Sequence, residues 1–99
     1  MTRELSFKRE AEDDIAEAFT WYQAQSEDLG VGFLRALDAA LANIRRNPLG
    51  YQIIRGSARR ALMRRFPYGG VFEVRSHDVV IVACYHASRD PARWQQRIG

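Results

Sequence analysis

The chain has 99 residues, enough to bury one core but too few for two, so residues 1–99 are expected to form a single domain. A hydrophobic content of 46% with 11% aromatics excludes a disordered chain, and no apolar run reaches the roughly 18–20 residues of a membrane span. The net charge of +3 hides an asymmetry: residues 1–38 hold nine acids and four bases, residues 39–99 hold three acids and eleven bases, and fourteen of the fifteen cations are arginine, whose planar fork suits phosphate or carboxylate, so an anionic partner is expected.

In chain order, Arg3 to Phe7 reads as a brief strand. Ala11, Ile15, Ala18, Phe19 and Tyr22 then recur at helical spacing, which predicts a helix over about Lys8 to Gln25. Glu10, Glu12, Asp13 and Asp14 crowd its first turns, where carboxylates meet the positive end of the helix dipole, a structural rather than a catalytic placement. Ser26-Glu27-Asp28-Leu29-Gly30 interrupts the pattern. A second helix is predicted from Val31 to about Arg46, burying Phe33, Leu37, Ala40, Leu41 and Ile44, with Arg45 and Arg46 complementing its C-terminal dipole. Asn47-Pro48-Leu49-Gly50 stops it, and the short link makes the two helices an antiparallel hairpin.

The period then changes. Strands are predicted over about Arg59 to Phe66, Val71 to Arg75 and Val79 to His86, joined by Pro67-Tyr68-Gly69-Gly70 and Ser76-His77-Asp78. Val79 to Cys84 is continuously apolar and rich in β-branched side chains, as expected of a strand in the middle of a sheet. Helices followed by strands predict an α+β class: a short N-terminal strand, a helical hairpin on one face of an antiparallel sheet and a short C-terminal helix, with the other sheet face left for a partner.

Candidate functional residues gather where that last strand ends. Tyr85-His86-Ala87-Ser88-Arg89-Asp90-Pro91 supplies a titratable imidazole and a fixed cation, and Asp90-Pro91 reads as the N-cap and first turn of a helix carrying Trp94. His86 shares a strand face with Val80, Val82 and Cys84, and Tyr85 shares the opposite one with Val79, Ile81 and Ala83. The structural alternative is a histidine that fixes the following turn, with Trp94 and Ile98 as core anchors. Alternation splits the strand from Arg59 into Arg60, Leu62, Arg64 and Phe66 on one face and Arg59, Ala61, Met63 and Arg65 on the other; Arg59 and Arg65 are the preferred outward set. Solvated edge charge is the competing account of those arginines. His77 reads as part of a turn.

No phosphate-cradling glycine loop, paired metal ligands or nucleophile elbow is present, so metal and nucleotide cofactors are not expected. Nothing at the start resembles a secretory signal, and Cys84 is a lone cysteine, so the cytoplasm is the expected location.

Taken together, Glu10-Ala11-Glu12-Asp13-Asp14-Ile15, Trp21-Tyr22, Asn47-Pro48, Arg65-Phe66-Pro67-Tyr68 and His86-Ala87-Ser88-Arg89-Asp90-Pro91-Ala92-Arg93-Trp94 resemble the RelE/ParE superfamily of toxins from type II toxin–antitoxin systems. The resemblance implies plasmid-stabilisation or growth-inhibition function, a cognate antitoxin that wraps the toxin, and a toxin–antitoxin hetero-oligomer. ParE-like members poison DNA gyrase, whereas RelE-like members cut messenger RNA on the ribosome with basic groups and a tyrosine or histidine acid/base. RelE-like chains commonly carry an arginine where this chain has Gly69-Gly70, and a C-terminal tyrosine where it has Trp94. An indole cannot exchange the proton a phenol can. The ParE-like reading is therefore preferred, with Arg59, Arg65, His86, Arg89 and Trp94 as target-binding residues. In the RelE-like alternative, His86 and Arg89 would be catalytic, and an inactive or purely structural binding domain is the third reading.

Overall fold

A computed structural model describes residues 3–88 and 92–98. Strand β1 (Glu4–Phe7) leads into helices α1 (Arg9–Gln25) and α2 (Glu27–Arg46), and a 3-10 turn at Pro48–Gly50 follows. Strands β2 (Ile53–Arg55), β3 (Ala58–Leu62), β4 (Tyr68–Val74) and β5 (Asp78–His86) precede a final helical turn, α3 (Ala92–Gln95). The class is α+β, as the order of helical and strand patterns implies.

The two helices are separated by a single residue. Ser26 ends α1, its N–H donating to the Tyr22 carbonyl at 3.0 Å, and also caps α2, its Oγ accepting from Leu29 N–H at 3.4 Å. The expected five-residue break is thus only Ser26, because a serine N-cap followed by Glu27 and Asp28 starts a helix at once. Gly30 lies inside α2 because α1 passes so close: a Cβ there would stand 3.2 Å from the Gln23 Cα.

The sheet order is β1-β5-β4-β3-β2. Pairing is antiparallel except at β1, which joins β5 in parallel, so the sheet is mixed rather than wholly antiparallel. The three-residue β2 is an additional edge strand that carries too little pattern to be read from sequence. Between β1 and β4, every residue of β5 from Val79 to Tyr85 is buried, as its unbroken apolar run predicts.

The hairpin covers one sheet face. Ala11 and Ile44 pack on Phe72, Val79, Ile81 and Ala61, and Ala18 and Phe33 pack on Met63, Tyr68 and Cys84. Each fully buried Phe or Ile contributes about 1.5–3 kcal/mol relative to exposure. The second face, expected to be left for a partner, is covered over its centre by the chain itself, where Trp94 and Ile98 pack against Ala58, Val71, Val82, Ala83 and Tyr85, while Leu62 on that face stays exposed.

One irregularity decides what the sheet presents at its end. Phe72 pairs with Ile81 and Val71 with Ala83, so Val82 is an extra residue in β5. Val79 and Ile81 face the helices before the bulge, and Cys84 does so after it. Strict alternation would have kept Tyr85 with Ile81; instead Tyr85 joins Trp94 on the far face, with ring centroids 5.8 Å apart.

Candidate functional site

Strand β1 pairs only with Asp78 to Ile81, so among the described residues the outer edge of β5 has no strand neighbour from Val82 onward. Side chains close that edge. Asp14, 8% exposed on the buried face of α1, accepts the Cys84 N–H at 3.1 Å and a two-pronged contact from Arg97, Nη1 to Oδ2 at 2.6 Å and Nη2 to Oδ1 at 3.1 Å. Arg97 Nη1 also donates to the Val82 carbonyl at 3.3 Å. The bulge and the C-terminal segment are thus held by one buried ion pair. The hydrogen bond to Asp14 raises the Arg97 pKa, burial lowers it and the Asp14 charge raises it again, so the guanidinium stays charged. The sequence carried a signal of this pair, since Asp14 falls three residues after Ala11 and four before Ala18, on the apolar stripe where a carboxylate requires a partner.

Burial, reinforced by the Asp14 charge, pushes the neighbouring Cys84 thiol from 9.0 up to about 12. Above pH 9 the unfolded chain loses that proton while the native chain keeps it, so native stability falls with rising pH across this window, by about 1.4 kcal/mol per unit at most. Urea unfolding of the protein and of Cys84→Ala at pH 8 and pH 10.5 checks this; the alanine variant should lack that part of the loss.

Beyond the clamp, His86 stands opposite Tyr68 in the β4–β5 register, the two rings edge to face with centroids 5.2 Å apart. Its Nδ1 accepts the Ser88 backbone N–H at 3.2 Å and lies 3.1 Å from Ser88 Oγ. A backbone N–H can only donate, so neutral His86 carries its proton on Nε2 and its available lone pair is committed to the turn. Tyr68 continues the aromatic contacts to Phe33, and Tyr22 and Phe66 complete the cluster.

Phe66 is the inserted anchor of the β3–β4 loop, which exposes Arg64 and Arg65. Arg65 has φ +71°, a left-handed conformation that costs a non-glycine residue on the order of 1–2 kcal/mol. The loop is pinned around it by Met63 N–H to Tyr68 O and Tyr68 N–H to Phe66 O, both 2.8 Å. Ala87 N–H donates to Pro67 O at 2.6 Å, which sets the Arg65 loop beside the His86 turn.

The remaining expected residues separate. Arg59 belongs to the helix-facing set with Ala61 and Met63; its Nη1 donates to Tyr51 O at 2.6 Å and Leu49 O at 3.3 Å, tying down the segment after α2. The preference for Arg59 as an outward residue is therefore corrected; Arg60 takes that place on β3, opposite Val71. Trp94 is 7% exposed and packs as a core anchor rather than presenting its ring, with Nε1 buried and without a hydrogen-bond partner among the described residues. Arg89, with the Asp90 cap and Pro91, lies outside the described residues. Gly69 sits beneath Tyr85, where a Cβ would come within 3.1 Å of the Tyr85 Oη and of Leu62 Cδ2, a tight fit that a larger side chain could enter only by displacing those two ends.

An open groove of about 850 Å³ runs between α1 and the end of β5, lined by Glu17, Thr20, Trp21, Tyr68, Tyr85 and His86 among others. Trp21, 51% exposed, stands at its side, and Leu29, Val31 and Leu34 are exposed on α2. No helix of the described residues is long and apolar enough to cross a membrane, and no group of three His, Cys, Asp or Glu among them is placed to hold a metal ion.

The model of a protein family described as the ParE toxin of type II toxin-antitoxin system, parDE, matches residues 5–91. No curated protein matches the chain. A solved chain from the chromosomal ParDE TA system of P. aeruginosa superposes with a TM-score of 0.76 at 13% identity, covering 87% of this chain and 97% of its own. That likeness is one of fold.

Proposed function

We infer, because the chain belongs to the ParE toxin family of type II toxin–antitoxin systems, that it arrests growth in the cytoplasm by binding DNA gyrase and is neutralised by a cognate antitoxin in a hetero-oligomer. The observation that carries the choice of gyrase contact over RNA cleavage is the state of His86. Its Nδ1 lone pair is occupied by Ser88 N–H, so the imidazole holds a turn and lacks the free lone pair a general base needs, which leaves a ribonuclease only the Nε2 proton to donate as an acid. Gly69-Gly70 also leaves this chain without the arginine that the ribonuclease branch carries there.

The contact surface is assigned to the Arg64–Arg65 loop and the His86 turn beside it, with Arg89 following in sequence. A strained arginine held outward by an inserted phenylalanine is a costly arrangement that a purely solvating residue does not require. The antitoxin is assigned to the groove between α1 and β5 and to the apolar side chains next to it, Trp21 above all, since exposed aromatics favour protein contact.

Purified protein is expected to inhibit gyrase supercoiling or to trap cleaved DNA, and mapped cuts in ribosome-bound messages without either effect would overturn the reading. Arg65→Gly separates function from fold. It should leave stability unchanged or raise it by up to about 1 kcal/mol through relief of the left-handed conformation. Gyrase inhibition should nevertheless weaken several-fold; a residue with only a structural role would change inhibition only in step with stability.

A further inference from the structure

Far along the chain from the His86 turn, Arg3, just ahead of β1, is joined to Arg45 in the last turn of α2, where Arg46 follows it. Arg45 Nε donates to the Arg3 carbonyl at 3.1 Å, Arg3 Nε donates to the Arg75 carbonyl at 3.0 Å, and Arg46 Nη2 donates to Asn43 Oδ1 at 3.2 Å. We propose that Arg3, Arg45 and Arg46 form a phosphate-docking strip that takes the backbone of duplex DNA.

Complementing the α2 dipole accounts for positive charge at Arg45 and Arg46, but not for the reach of Arg45 to a carbonyl 42 residues away. A guanidinium fixed through Nε keeps its Nη1 and Nη2 donors as an oriented fork, the arrangement that meets two oxygens of one phosphate. Two such forks, of Arg3 ahead of β1 and Arg45 on α2, are each anchored through Nε to a backbone carbonyl, so little side-chain entropy remains to be lost on docking.

The acids of these segments are turned away. Leu5 and Phe7 pack beneath the helices, so alternation sends Glu4 and Ser6 to the opposite sheet face, where Ser6 donates to Asp78 at 3.2 Å. Glu73 is engaged by Ser57 at 3.2 Å and by Arg75 at 3.9 Å. Arg3 therefore lies with Arg45 and Arg46 on the helix side of the sheet, apart from those carboxylates. The choice of duplex DNA as the polyanion rests on the gyrase reading, because the target of that reading already holds duplex.

Fluorescence anisotropy with a short labelled duplex, in the absence of gyrase and over a series of salt concentrations, tests the strip. The protein should bind with a dissociation constant of about 10⁻⁴–10⁻⁶ M, and the log–log salt slope should fall by about 0.9 for each arginine removed, roughly 2.7 in the triple Arg3→Gln, Arg45→Gln, Arg46→Gln variant. The triple lysine variant keeps the charge but loses the forks and the staple, and it should retain most of the slope. An unchanged slope in the glutamine variant overturns the proposal, as does a lysine variant that loses as much as the glutamine one. Polyglutamate competing as well as duplex, or single-stranded RNA binding more tightly, overturns the choice of DNA. Gyrase inhibition measured in parallel separates the two ideas: inhibition without duplex binding sinks the strip alone, and duplex binding without inhibition sinks the gyrase target.

Discussion

Replacing Arg97 by alanine is expected to lower the free energy of unfolding by about 3–5 kcal/mol, as loss of one partner from a buried ion pair typically does. The side chains of Arg97 and Asp14 are 19% and 7% exposed, so the carboxylate left behind would be inside the protein with one backbone N–H for company. The Val82 carbonyl would lose its donor as well. Small domains have only about 5–15 kcal/mol to lose, so urea denaturation should show a large fall in midpoint. The covering of the far sheet face depends on the same pair, because Trp94 and Ile98 flank Arg97 in sequence. Near-ultraviolet dichroism from Trp94 should therefore weaken before global unfolding. A loss below about 1 kcal/mol would show that the pair is solvated and that the clamp contributes little. The double change Arg97→Met with Asp14→Leu should recover only part of the loss, since an apolar pair removes both buried charges but leaves the Cys84 N–H and the Val82 carbonyl without these partners.

That clamp also marks the limit of what the residues disclosed in advance. The helical hairpin and the centrality of β5 were legible because they are periodic: an apolar stripe along each helix, and an unbroken apolar run from Val79 to Cys84 that only a strand covered on both faces accommodates. The bulge at Val82 was not legible. No glycine marks it, and one extra residue inverts every later assignment of side chain to face, so Tyr85 leaves the Ile81 side. Arg59 was misplaced for a related reason. Alternation in β3 defines two sets but not which set meets the helices, and nothing local announces that Arg59 would find the carbonyls of Leu49 and Tyr51. Trp94 had both a surface and a core reading, and burial against Tyr85 favours the core. The pairing of the Arg65 loop with the His86 turn was not legible either: Pro67-Tyr68-Gly69-Gly70 reads as a turn ahead of a strand at Val71, whereas β4 starts at Tyr68 and makes Tyr68 and His86 cross-strand partners.

His86→Asn should leave gyrase inhibition within a few-fold of the unaltered protein, whereas a ribonuclease relying on the imidazole would lose about 10²- to 10⁴-fold in cleavage rate. Asparagine is a sharper probe than alanine here. Its carbonyl oxygen can stand where Nδ1 stands and accept the Ser88 N–H, so the turn that begins at Ala87 is preserved while the titratable group disappears. Alanine would remove the acceptor as well, and a loss of activity could then reflect a displaced turn. The Tyr68 ring contact is partly kept, because an amide also packs edge-on against an aromatic face. The measurement is the protein concentration giving half-maximal inhibition of supercoiling, with thermal unfolding run alongside. If the asparagine variant is folded, melts within a degree or two of the parent and still loses two orders of magnitude of toxicity, the imidazole itself is the active group and contact alone does not explain growth arrest. Retained inhibition would instead assign His86 to holding the turn beside Arg65, with binding energy drawn from the exposed arginines of the loop.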